Sequence, residues 1–134
     1  MRVVLDTNVL ISGAFFSGPP SRVLDACIAG IFRLLLTPEI VEEYRKVGEE
    51  FTRTRRNLDF ERLLNLLVAQ AVFLQAPQLD RPLCRDPGDD KFIACAIAGK
   101  ADVIVSGDRD MLAVSGQLGI RVLRPREFVT RYLE

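Results

Sequence analysis

The sequence predicts an α/β fold, a three-layer α/β/α sandwich built on a five-stranded parallel sheet, and three observations carry that reading. Short apolar, β-branched runs alternate with amphipathic helical segments along the whole chain, which calls for a parallel sheet with helices on both faces. The first and fourth runs each end in a carboxylate, Asp6 and Asp108. The 134 residues, 49% hydrophobic and 27% charged, match one globular domain spanning 1–134 and not a disordered or fibrous chain. At that length roughly two thirds of the unfolded surface can be buried without disulfide staples.

The elements follow in order. Arg2 to Asp6 (RVVLD) reads as a buried strand. Asn8 to Phe16 starts a helix, which the turn residues Ser17-Gly18-Pro19-Pro20 are expected to break. Ser21 to Ile28 is helical with Gly30 as its stop, and Phe32 to Leu36 is the second strand. Thr37-Pro38 pairs a cap residue with Pro at the first helical position, opening a helix through Ile40, Val41, Tyr44 and Val47. Phe51 to Asn57 is an Arg-rich loop or helix extension. Phe60 to Ala71 sets Leu63, Leu64, Leu67 and Ala71 at helical spacing. Val72 to Leu74 is a short strand, followed by a Pro-punctuated connection to Pro87. Asp90 to Ala98 is a mostly apolar, buried helix; Val103 to Val105 is a strand delivering Ser106-Gly107-Asp108. A short helix at Asp110 to Val114, a strand at Ile120 to Leu123 and a helix from Pro125 to Leu133 complete the chain.

Composition removes several kinds of chemistry. The 18 basic and 18 acidic residues cancel, so any nucleic-acid contact must use a local patch. Fifteen of the basic residues are Arg, the better bidentate partner for phosphate. The chain has no His, which excludes Ser-His-Asp and Cys-His nucleophilic catalysis, His-containing zinc sites and an imidazole base. Cys27, Cys84 and Cys95 are an odd number without CxxC spacing, against both a disulfide framework and a zinc knuckle. No apolar run approaches the length of a membrane span or signal peptide, so a reducing cytoplasm is the expected home.

Acid-base or metal chemistry must therefore run on carboxylates. In a doubly wound sheet the ligand site lies at the carboxyl ends of the strands, where the winding reverses. If the strand order is 3-2-1-4-5, strands 1 and 4 are neighbours about 4.8 Å apart, and Asp6 and Asp108 would then face each other across one crevice. Asp86, Asp89 and Asp90 precede the helix leading into strand 4, and Asp110 follows Asp108 by two residues. Two carboxylates about 4 Å apart repel by on the order of 4 kcal/mol at an effective dielectric near 20. Such a cluster persists by taking up protons or holding cations, and oxygen ligands without His or Cys select Mg²⁺ or Mn²⁺. The same residues also have structural uses: Asp89 and Asp90 suit a helix N-terminus, and Asp108 and Asp110 suit a turn and cap. Asp6, closing a buried central strand, has no such local use.

These segments resemble the PIN domain family, in particular its prokaryotic branch of toxins from toxin-antitoxin pairs. VVLDTNVLISG is similar to the family's first motif, an acidic residue ending strand 1 followed by Thr-Asn. PEIVEEYRKV is similar to the second, with Glu43 before Tyr44 as the match; RDPGDDKFIACA to the third, with Asp90 three residues before Ile-Ala; and IVSGDRDML to the fourth, with Asp108. The four segments lie in family order over nearly the whole chain. Two departures stand out: Ser106 where Thr is commoner, which keeps the hydroxyl, and Gly88 where many relatives carry another acidic residue.

The resemblance implies sheet order 3-2-1-4-5 and a metal centre of Mg²⁺ or Mn²⁺ held by Asp6, Glu43, Asp90 and Asp108. It implies metal-dependent endoribonuclease hydrolysis of single-stranded RNA or loop regions, as in VapC-type toxins. An activated water would attack phosphorus, and a second ion arriving with substrate would stabilise the leaving 3′ oxygen. It also implies a homodimer and a small antitoxin partner. Asn8 and Ser106 are candidates to orient the carboxylates, and Asp89 and Asp110 are auxiliaries. Glu42 competes with Glu43, but the two point about 100° apart on a helix, so only one faces the crevice; Tyr44 is expected to pack with Ile40 or Val41. Arg85, Lys91 and Arg109 stand beside the acidic motifs as phosphate contacts, and Arg45, Lys46, Arg53, Arg55 and Arg56 form a further candidate patch.

Other readings fit less well. A phosphatase of the haloacid-dehalogenase type needs a second Asp where Asn8 stands, and a receiver domain needs an Asp ending strand 3, near Leu74-Gln75. No Gly-rich phosphate loop is present. The alternative from a different class is a catalytically weak PIN-like RNA- or protein-binding module, which the four filled acidic positions disfavour.

Overall fold

The computed structural model describes residues 1–55 and 58–134, and of Leu118 the backbone alone. The elements are β1 (Arg2–Leu5), α1 (Thr7–Phe15), α2 (Pro19–Ile28), β2 (Arg33–Leu36), α3 (Pro38–Thr54), α4 (Phe60–Gln70), β3 (Val72–Phe73), α5 (Asp90–Gly99), β4 (Val103–Val105), α6 (Arg109–Leu112), β5 (Val122–Leu123) and α7 (Pro125–Phe128). The strands form one sheet of order β3-β2-β1-β4-β5, and every pairing is parallel. The expected fold class and strand order are therefore those observed.

The order follows from where apolar side chains must go. On a strand, successive side chains point to opposite faces. Val3, Val4 and Leu5 are all fully buried, so both faces of β1 are covered, which places it at the centre of the sheet. Val103, Ile104 and Val105 of β4 are buried in the same way and pair with Val3, Val4 and Leu5. α5, nearly all apolar, packs on β1, β2 and β4, while α4 packs on β2. Tyr44 of α3 is fully buried, and its hydroxyl donates to the Leu5 carbonyl at 2.5 Å, fixing α3 to the end of β1. Tyr44 is thus part of the core, with a polar tie the sequence did not reveal.

Local differences from expectation have physical reasons. The Pro19-Pro20 pair begins α2 rather than interrupting the chain: Pro is favoured in the first helical turn, and Gly18, at φ 119°, makes the turn alone. α3 continues through the Arg-rich segment to Thr54, whereas Arg56 and the adjoining Asn57 lie outside the described residues. The final helix changes character, since Val129–Leu133 continues α7 as a π-helical turn. Close packing of α1 on α2 depends on Gly13, where a Cβ would sit 2.6 Å from the Pro20 carbonyl oxygen.

Candidate metal centre

The centre is assembled by chain ends at the carboxyl edge of β1 and β4. Asp6 follows β1, and its amide continues the ladder by donating to the Val105 carbonyl at 3.0 Å. Its own carbonyl accepts from the amides of Val9 and Leu10, making Asp6 the residue from which α1 departs. The carboxylate is only 4% exposed, and its Oδ2 accepts a 2.6 Å hydrogen bond from Ser106 Oγ. Burial pushes the Asp6 carboxyl above its ordinary range, helped by the charges of Asp108 and Glu43; the hydrogen bonds from Ser106 and the Thr7 backbone work the other way.

Ser106, fully buried, also accepts from the Asp108 amide at 3.0 Å. Asp108 Oδ1 in turn accepts from the Asp110 amide at 2.9 Å, capping α6. Across the crevice, Glu43 on α3 is half-buried and engaged at both oxygens: Oε1 receives Lys91 Nζ at 2.5 Å, and Oε2 receives the Thr7 hydroxyl. Glu42, by contrast, points to solvent at 79% exposure and lies 4.0 Å from Arg45. The helical phase of α3 thus separates the two glutamates as one in and one out.

The two aspartates that open α5 divide differently from expectation. Asp89 lies against Asp108: its carboxyl is pushed up to about 7 by partial burial first, then by hydrogen bonding with Asp108 and by the charges of Asp6, Asp108 and Asp86. Asp90 instead turns toward the Pro-rich connection, accepting the Cys84 amide at 2.8 Å and the Leu83 amide at 3.2 Å. The structure therefore brings together Asp6, Glu43, Asp108 and Asp89, and gives the Asp90 carboxylate to the adjoining loop.

The remaining candidates sort by position. Asn8 is exposed and, with Arg85, Asp108, Arg109 and Asp110, lines a wide open concavity of about 970 Å³ beside the carboxylates. Lys91, expected as a phosphate contact, is the counter-ion of Glu43. Within the second candidate patch, Arg45 pairs with Glu61 at 3.4 Å and the Arg55 guanidinium lies 4.9 Å from the Phe16 ring centroid, while Arg56 lies outside the described residues. Sequence reasoning missed Thr7, whose motif Asp6-Thr7-Asn8 offered the only signal. All three cysteines are buried free thiols, and burial pushes each up to about 12.

The donor set suits a hard divalent cation, since the ligating atoms offered to the crevice are carboxylate and hydroxyl oxygens, Lys91 being the counter-ion of Glu43. Among the described residues, no three acidic or cysteine side chains are drawn close enough together to enclose an ion. Mg²⁺ does not require such a cage; it is commonly held by one or two carboxylates, with waters and substrate phosphate filling the other positions. Burial first, and the charges of Asp108 and Glu43 after it, disfavour the bare Asp6 carboxylate, and a bound cation would relieve that cost.

A parallel sheet of order 3-2-1-4-5 with acidic side chains converging where β1 and β4 end defines a class of α/β domains with an acidic strand-end site. Residues 2–110 match the PIN domain family, and the chain belongs to that family. An uncharacterized protein of Methanocaldococcus jannaschii is 27% identical to it over 145 aligned positions, covering 98% of this chain and 92% of the relative. PIN domains are in general nucleases, and such nucleases typically use divalent metals such as Mg²⁺ or Mn²⁺. Among the described residues, no helix is long and apolar enough to cross a membrane.

Proposed function

We propose that the chain is a divalent-metal-dependent endoribonuclease acting on single-stranded RNA, and that it serves as the toxin of a toxin-antitoxin pair. The observation that carries the reading is the placement of Asp6 and Asp108 at the ends of the neighbouring strands β1 and β4, tied through Ser106, with the charges of Glu43 and Asp89 nearby. The charges of Asp108 and Glu43 bear on Asp6, and those of Asp6 and Asp108 on Asp89, a crowding of like charge that favours a divalent cation there. When bound, Mg²⁺ or Mn²⁺ supplies an acidified water and charge neutralisation at the phosphate.

The chain's own groups supply position. Ser106 holds the Asp6 carboxylate in one orientation while the same hydroxyl fixes the Asp108 backbone. Thr7 and Lys91 hold Glu43 from two sides. Arg85 and Arg109, on the open concavity, offer guanidinium groups to the RNA backbone. A concave, open site admits a bendable single strand more readily than a rigid duplex. The Asp90 carboxylate is oriented by the Leu83 and Cys84 amides and keeps lone pairs free for a cation, while Asp89 lies against Asp108, so either can complete the ligand set.

The test is cleavage of a mixed pool of structured and unstructured RNA in Mg²⁺, Mn²⁺ or EDTA, with Asp6→Asn, Asp89→Asn and Asp90→Asn prepared in parallel. Expected is metal-dependent cutting that Asp6→Asn abolishes; the other two variants identify which α5 carboxylate matters. Cutting in EDTA, or undiminished in Asp6→Asn, contradicts the reading. For the toxin role, induced expression is expected to arrest growth, and expression of Asp6→Asn is not. The homodimer implied by the resemblance and the cytoplasmic location expected from the sequence belong to the same proposal, and sedimentation of the purified chain tests the former.

A further inference from the structure

A cavity of about 290 Å³ opens directly beside the carboxylate centre, between the first turn of α3, the Pro-rich connection and α5. Lys91 lines this cavity and at the same time contacts Glu43, so the cavity and the centre share a wall. Its volume is at the lower end of the range for ligand pockets, roughly 300–1,000 Å³, suited to one planar ring and not to a whole nucleotide chain. Pro77, Leu79, Pro82 and Ala94 give apolar walls, the kind of surface against which a splayed base packs. Glu39 supplies the anionic edge; it is exposed, and no cation among the described residues pairs with it.

We infer that this cavity receives the base of a nucleotide flanking the scissile phosphate, and that Glu39 selects guanine. The inference rests on the ribonuclease reading above and deepens it. A carboxylate accepts two hydrogen bonds side by side. Guanine alone presents two adjacent donors, N1–H and N2–H, on its Watson–Crick edge. Adenine and cytosine set a single amino group beside a ring nitrogen acceptor, which repels the second carboxylate oxygen, and uracil has one N–H flanked by two carbonyls. Glu39 stands in the first turn of α3, where the helix dipole favours an acidic side chain. Asp90 also borders the cavity, but its oxygens are held by the Leu83 and Cys84 amides.

The test is fluorescence-anisotropy binding of uridine hexamers carrying one central guanine, adenine, cytosine or uracil, read in an Asp108→Asn background that suppresses cleavage. Asn caps α6 as Asp does, so this background retains the fold. The expected result is about tenfold tighter binding of the guanine oligomer, the discrimination of one good bidentate pair. Glu39→Gln and Glu39→Ala are both expected to bring the ratio to near one. RNA bound without base preference, or a guanine preference that survives both substitutions, overturns the pocket assignment and leaves the nuclease reading standing. No RNA binding in this background, together with no cleavage by the wild-type chain, overturns both.

Discussion

Ser106 Oγ donates to Asp6 Oδ2 at 2.6 Å and accepts from the Asp108 amide at 3.0 Å, so one buried hydroxyl ties the end of β1 to the end of β4. Two candidate ligands from residues 102 positions apart in the chain are thereby placed by a single oxygen. Ser106→Ala leaves the buried Asp6 carboxylate without its side-chain donor. It is expected to weaken Mn²⁺ binding and RNA cleavage by roughly 10–100-fold, as loss of a ligand-orienting partner does, while Ser106→Thr retains both. Calorimetric Mn²⁺ titration and initial cleavage rates check this, and Ser106→Ala with wild-type values refutes it.

The metal-free chain is expected to carry a pH signature. The Asp89 carboxyl is pushed up to about 7 in the fold, above its ordinary value of 3.8. The folded state therefore binds its proton more tightly than the unfolded state does. Its contribution to stability is fully present below about pH 3.8 and is lost as pH rises through about 7. In EDTA, the Tm of the wild type relative to Asp89→Asn is expected to fall across that window, and added Mn²⁺ is expected to restore it at the high-pH end. Melting curves that stay parallel from pH 4 to pH 8 contradict the assignment.

Lys91 neutralises Glu43 at 2.5 Å, both side chains being 28% exposed. Its ammonium occupies the electrostatic place that a divalent cation would take. Lys91→Ala is therefore expected to tighten Mn²⁺ binding several-fold, because removing a neighbouring positive charge always favours a cation. The same variant is expected to lose stability when metal is absent. Isothermal calorimetry reads the first effect and urea denaturation in EDTA the second; weaker Mn²⁺ binding in Lys91→Ala contradicts the first, and undiminished metal-free stability the second.

Packing gives a prediction independent of chemistry. At Gly13 a methyl group meets the Pro20 carbonyl oxygen and the Leu24 side chain, and the former belongs to the backbone and cannot rotate away. Gly13→Ala is expected to destabilise the fold by about 1–3 kcal/mol, the usual cost of overpacking, as measured by urea denaturation. Unchanged stability would show that α1 and α2 can separate without loss.

Strands and their ends were legible because buried parallel strands leave a strong local mark, a β-branched apolar run ended by a polar residue such as Asp6 or Asp108; the sheet order came from the resemblance to the PIN family, because no local run encodes which strands pair. Helix phase was legible for Glu43 against Glu42, since one turn of geometry permits only one to face the crevice. The contacts of Thr7 and Lys91 with Glu43 were not legible, because they depend on how α1, α3 and α5 approach one another, which no local spacing encodes. The division of labour between Asp89 and Asp90 was hidden for a related reason. It turns on where the irregular connection brings the Leu83 and Cys84 amides, and a segment without periodicity has no sequence rule to place it. The Pro19-Pro20 pair misled because the same residues that punctuate a turn also start a helix.

The central claim is that the strand-end carboxylates form a divalent-cation site, and calorimetric titration of Mn²⁺ into the wild-type chain and Asp6→Asn at pH 7.5 tests it most directly. Saturable binding in the wild type, weakened at least tenfold in an Asp6→Asn protein of unchanged far-UV circular dichroism, is the predicted result. Mn²⁺ binding of equal strength in both proteins, or none in the wild type, contradicts it.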